Sequence, residues 1–316
     1  MTSARSRPRA VPASTLRWKA DLALAGCSLV WGVTFVVVQD ALRDASVLVF
    51  LLARFLLATA TLAWIYRRHL SDLHPGLWRA GSLIGLFMFA GYALQTAGLR
   101  WTTPSKAAFI TGSSVVLVPI FEALLGRQRP GYWLWLGALT ALGGLYLLTL
   151  FGAPGGRLNR GDVLVMGCAV MFALHIIVVG HYSPGYPSSL LTLTQVGATA
   201  LLSALALPVA GMTGWERPYL VGSPRLVGAV IVTAVGATAV AFSLQVWAQR
   251  FTTASHVAIL FSLEPVFAAV TSLLLGAERL NLRTLAGGGL VLCGVLLAEL
   301  KGSGPLAPES AVSGVD

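Results

Sequence analysis

Apolar residues run in long stretches along this chain, separated by short polar gaps. A helix needs roughly 20 apolar residues to cross a hydrocarbon core ~30 Å thick. Ten stretches approach that length: 20–39, 46–66, 77–98, 104–125, 131–151, 162–181, 188–209, 225–248, 255–276 and 283–300. Runs of this kind favour helices, because a barrel would show short alternating strands. Most gaps are so short that consecutive helices must form antiparallel hairpins; the longest gaps are 67–76, the Gly/Pro link 152–161, and 210–224. The pattern predicts an all-α integral membrane protein with ten transmembrane helices.

The ten fall into two sets of five. Shifted by 150 residues, 92–151 lies ungapped on 242–301. Gln95 then meets Gln245, Arg100 meets Arg250, Thr102-Thr103 meet Thr252-Thr253, and Gly137 and Gly144 meet Gly287 and Gly294. The segments are a basic arm 1–19, a first repeat 20–151, the link 152–161, a second repeat 162–300 and a tail 301–316; residues 1–17 and 302–316 are expected to be disordered. Five is an odd number of crossings, so the second unit enters the membrane upside down. Lys and Arg positions agree: with a cytoplasmic N-terminus the two sides carry 12 and 9, the first unit supplies the bias, and the second leans the other way. Two inverted five-helix repeats with both termini cytoplasmic are expected, in the cytoplasmic (inner) membrane. Such repeats mark transporters that rock one half against the other around a central site.

Composition agrees. The chain is 56% hydrophobic and 11% charged, with mean hydropathy +0.78, against about 25% charged in a soluble domain. The net charge of +10 does not indicate nucleic acid, because the basic residues sit in gaps between apolar runs, where they set topology and attract anionic lipid. Cys27, Cys168 and Cys293 lie within apolar segments with no metal-ligand spacing. Neither a metal nor any other cofactor is expected. Leu24-Ala25-Gly26-Cys27 resembles a lipoprotein cleavage box, but Asp21 interrupts the apolar region and the run continues to Val38, so an uncleaved first helix is expected.

Ionisable groups within a span are expensive and by default functional. Arg54 and Glu264 lie near mid-span in the second and ninth segments. They could pair with each other, or face a water-filled cavity and meet cargo or protons. Glu122 sits near a helix end, where a structural pairing with Arg127 or Arg129 is favoured. Pro119 and Pro265 each remove a helix hydrogen bond, freeing the carbonyls of Val115 and Phe261, and interrupted helices in both repeats are expected beside a binding site. Gln95, Gln245, Gln195, His175 and Trp31 complete the candidate pathway. For each amide and for the histidine alone, hydrogen bonding between helices is the ordinary alternative.

These residues carry a resemblance. Trp31-Gly32 with Phe35, Ala53-Arg54-Phe55, Tyr92 with Gln95, and Thr102-Thr103-Pro104-Ser105-Lys106-Ala107-Ala108-Phe109 are similar to EamA-type members of the drug/metabolite transporter superfamily. So are Thr252-Thr253-Ala254-Ser255-His256-Val257-Ala258, Leu263-Glu264-Pro265-Val266 and Leu275-Gly276-Ala277-Glu278-Arg279, and the likeness spans about 20–300. One departure is Gly126-Arg127-Gln128, where the family often has glutamate directly after glycine. The resemblance implies export of small metabolites, amino acids or toxic amphiphiles by alternating access through a central cavity.

The expected function is therefore secondary-active export of a small organic metabolite, with the bilayer and a small-molecule substrate as partners, protons as a candidate coupling ion, and a monomer or homodimer as the assembly. A sugar-phosphate or nucleotide-sugar exchanger is the alternative, disfavoured because its cargo wants several buried cations. A lipid-modifying membrane enzyme would need an interfacial cluster of Asp, His or Ser, which the loops lack. A retinal protein would need a mid-span lysine, and Lys19, Lys106 and Lys301 all lie near ends.

Overall fold

The computed structural model describes residues 13–126, 130–149, 158–274 and 282–301. Helix α1 is Ala13–Ala41, α2 Val47–Ile65, α3 Pro75–Gly98, and α4 runs in two segments, Pro104–Gly112 and Ser114–Leu124. Helix α5 is Tyr132–Thr149, α6 Arg160–Tyr182, α7 Ser188–Thr213, and α8 covers Pro224–Ala248. Helix α9 is again divided, Ala254–Phe261 and Glu264–Leu274, and α10 is Leu282–Lys301. Seven are long and apolar enough to span a bilayer; α5, α9 and α10 contain shorter apolar cores, Tyr132–Leu147, Ala254–Ala268 and Leu285–Ala298. Helix α1 starts ahead of the Ala20 boundary read from hydropathy, so Arg17 and Lys19 are helical. Residues 1–12 and 302–316, Arg127, Gln128 and Arg129, and Leu275 to Arg279 lie outside the described residues.

Capping explains the repeated Thr-Thr pairs. The second threonine is the N-cap in each repeat: Thr103 Oγ1 accepts from Lys106 N–H and Thr253 Oγ1 from His256 N–H, satisfying one of the helix's orphan donors. Helix α6 opens on a capping box between Asn159 and Asp162. Helix α2 is capped from a distance: the Glu216 carboxylate accepts from Val47 N–H and Leu48 N–H at 2.7 and 3.0 Å.

Packing exchanges the two repeats. Helix α1 lies on α8 and α9, and its counterpart α6 lies on α3 and α4; α2 packs on α7 and α8, and α7 on α2 and α3. Helices α5 and α10 pair with each other. A Cβ on Gly137 would lie 2.6 Å from the Gly294 carbonyl oxygen, and one on Gly144 equally close to that of Gly287. As α5 advances from 137 to 144 its partner retreats from 294 to 287, so these equivalent helices are antiparallel. The repeats are inverted, and glycine at the crossing lets the backbones touch.

Three ion pairs clasp loops and helix ends on one face. Asp44 accepts from Arg225 Nη2 and Nε at 2.8 and 3.0 Å and from Ser223; Arg100 meets Glu216 at 3.0 Å; Lys106 meets Asp162 at 2.6 Å. The Arg225 guanidinium and the Ser223 hydroxyl hold the Asp44 carboxyl below its usual range. On the other face His256 meets Asp21 at 3.4 Å, linking the starts of α9 and α1, as Lys106 and Asp162 link those of α4 and α6.

Candidate functional site

A cavity lies at the centre, bounded by α1, α2, α3 and α4 of the first repeat and α6, α8 and α9 of the second. Trp31, Arg54, Gln95, His175, Gln245 and Glu264 all line it, joined by Tyr92, Phe172, Phe242 and Phe261. Val38 and Leu99, near the ends of α1 and α3, also border it, so it extends toward the face bearing the 42–46 loop. Towards the opposite face the walls meet: Ser28 Oγ donates to the Leu260 carbonyl at 3.1 Å, and Cys27 Sγ to that of Ala241 at 3.3 Å.

Arg54 is buried in the wall at 2% exposure. Its Nε donates to Thr238 Oγ1 at 2.8 Å, and its Nη2 to Tyr92 Oη at 3.2 Å and the Ala237 carbonyl at 3.4 Å. The guanidinium lies 4.4 Å from the centre of the Tyr92 ring, within cation–π range. Among the described residues no ion pair joins Arg54 to Glu264, and the Glu264 carboxylate has no hydrogen-bond partner. A pair between those two, one of the two arrangements open from sequence, is therefore absent.

The Ala237 carbonyl is available to Arg54 because α8 leaves α-helical register. Val232–Val240 is a π-helix, and Thr238 Oγ1 donates five residues back to the Thr233 carbonyl at 2.8 Å. Widened turns of this kind release backbone acceptors and recur at functional sites. Trp31 Nε1 donates to the same Ala237 carbonyl at 2.8 Å, which explains an indole far from the interfacial belt.

The breaks in α4 and α9 fall at equivalent positions, Ser113 and Ser262-Leu263. Each serine hydroxyl donates back to the carbonyl three residues earlier, Ile110 or Ile259, at 2.6 Å, competing with regular helix bonding. Pro265 follows the α9 break directly, near the start of its second segment, where a missing N–H costs nothing. Pro119 lies inside the second segment of α4, so the interruption there is at Ser113. A Cβ added to Gly112 would stand 3.8 Å from the Pro265 ring, so the two breaks meet. Glu264 opens the second segment of α9, at the positive end of its dipole.

The remaining candidates are held by neighbouring side chains. Gln195 is fully buried and holds His175 Nε2 at 3.1 Å through Oε1. Gln95 Nε2 donates to Thr111 Oγ1 at 3.2 Å. Glu122, also buried, receives a hydrogen bond from Ser255 Oγ, a contact between α4 and α9 that sequence reasoning did not anticipate. It also missed Thr238, Phe172 and Phe242. Among the described residues no cluster of His, Cys, Asp or Glu suits a metal.

A family model described as the EamA-like transporter family matches residues 18–150 and again 159–300. A protein of Archaeoglobus fulgidus described as an uncharacterized transporter is 34% identical over 285 residues, covering 90% of this chain and 87% of its own. A second with the same description and organism is 25% identical, covering 90% and 98%. A solved crystal structure superposes with a TM-score of 0.74 at 20% identity, over 90% of this chain and 98% of that one.

Proposed function

Since the chain belongs to the EamA-like transporter family, we propose that it is a secondary-active exporter of a small organic metabolite, working by alternating access through this cavity. Its membership makes it a multi-pass membrane transporter and not an enzyme. The observation that carries the finer reading is Glu264: a carboxylate lining a cavity shared by both inverted repeats, with no partner among the described residues. A carboxylate left unpaired at that depth is costly unless cargo or a proton takes the partner's place. Protons are the coupling ion on this reading, and the cytoplasmic membrane is the location, with both termini on the cytoplasmic side. Arg54 as the single Arg or Lys among the described lining residues counts against a sugar-phosphate exchanger, whose cargo wants several buried cations.

Transport depends on Glu264 if this is right. Metabolites released to the medium by cells expressing wild type are compared with those from cells expressing Glu264→Gln at equal membrane abundance. Wild type should enrich at least one small organic solute and the variant should not. Equal release by both removes Glu264 from the mechanism. A reporter fused at either terminus and active only outside the cytoplasm would reverse the orientation.

A further inference from the structure

Several nitrogen donors of the cavity already bond its wall: Arg54 through Nε and Nη2, with Nη1 left open, Trp31 to the Ala237 carbonyl, and Gln95 to Thr111. Gln245 Nε2 donates to Gln249 Oε1 at 2.9 Å, and Gln249 Nε2 donates to the Ile176 carbonyl at 2.8 Å. The second bond requires nitrogen at that end of Gln249, which fixes both amides. Acceptor oxygens are also left over. Gln245 Oε1 is buried without a partner, and the Glu264 carboxylate has none among the described residues.

Aromatic rings line the same cavity. Trp31 packs against Phe261 and Phe242 with ring centres 5.0 and 5.2 Å apart, and Tyr92 against Phe172 at 5.1 Å. Ring faces attract cations and repel anions. Arg54, the arginine among the described lining residues, is stacked on Tyr92 with Nε and Nη2 bonded to the wall, so a two-pronged grip on a carboxylate would break one of those bonds.

We propose that the cargo is an organic ammonium ion with N–H donors and an apolar body of about one aromatic ring, its head held by Glu264 with Gln245 Oε1 as the second acceptor. This deepens the transporter reading and rests on it only in calling the ligand cargo. A buried acceptor without a donor is unfavourable, and an ammonium supplies donors to both acceptors at once. Its body replaces water against the aromatic walls.

The test is calorimetric titration of the full-length protein in lipid nanodiscs with three probes of similar size: phenethylammonium, 3-phenylpropionate and zwitterionic phenylalanine. Phenethylammonium should bind at least about tenfold more tightly than either of the others, the scale set by one charge-assisted hydrogen bond. Glu264→Gln and Gln245→Leu should each weaken phenethylammonium, and neither should weaken 3-phenylpropionate. Absent binding of phenethylammonium, or an equal or reversed ranking, overturns the proposal, and the wild-type ranking alone decides it if the variants do not fold. Proteoliposome flux separates the two readings. Ammonium binding without flux removes the transport mechanism and keeps the site, whereas flux of another solute with no ammonium preference removes the site and keeps the transporter.

Discussion

At the scale of single residues, the central observation is how Arg54 is held. A guanidinium out of water needs its hydrogen bonds satisfied, because leaving one unmade costs about 1–3 kcal/mol. Thr238 supplies the acceptor for Nε at 2.8 Å. Replacing it with valine keeps the shape and removes the oxygen, so Thr238→Val should lower thermal stability by an amount in that range and reduce transport. Thr238→Ser should retain both, as read by melting temperature and flux side by side. Sequence singled out Arg54 and Glu264 as mid-span charges, because a charge within an apolar run stands out without any structure. It left open whether they bond to each other. That choice rests on where the Ala237 carbonyl and the Thr238 hydroxyl point, which follows from a register shift in α8 that no composition signal marks.

At the scale of elements, hydropathy alone placed all ten helices, since each must hide its backbone from lipid and carry apolar side chains over most of its length. The interruptions were less legible. Prolines suggested where α4 and α9 should bend, yet α4 breaks at Ser113, where the serine hydroxyl bonds back to the Ile110 carbonyl and competes with regular helix bonding. Glycines at the α5–α10 crossing were aligned by the repeat, but their mutual contact is a tertiary fact. It yields a sharp expectation. A Cβ at Gly144 would meet the Gly287 carbonyl and the Val291 nitrogen at 2.6 Å, which are backbone atoms that cannot swing aside. Gly144→Val should therefore destabilise the protein by at least about 1–3 kcal/mol, the usual cost of overpacking. Gly143, with nothing within 4 Å of its added Cβ, should tolerate alanine. Thermal unfolding in detergent compares the two.

At the scale of the molecule, one face is clasped by ion pairs between segments far apart in sequence, and the Asp44–Arg225 pair offers a pH test. The Asp44 carboxyl is held below its usual range by Arg225, so the folded state favours the ionised form. Its contribution is complete above the unfolded value, ~4, and fades as the pH falls through the folded value. The difference in melting temperature between wild type and Asp44→Asn should stay constant from about pH 7 to 5 and shrink below ~4. A constant difference down to the lowest pH would show the pair to be inert.

The duplicated halves also differ in one respect that bears on energetics. The position equivalent to Glu264 in the first repeat is Ser114, which lines the same cavity. Duplication thus left the acid in a single copy. If cargo bearing one positive charge and a proton take turns at that carboxylate, the exchange ratio is one to one and no net charge crosses per cycle. An imposed membrane voltage would then leave the turnover rate unchanged, while an imposed pH gradient would drive it.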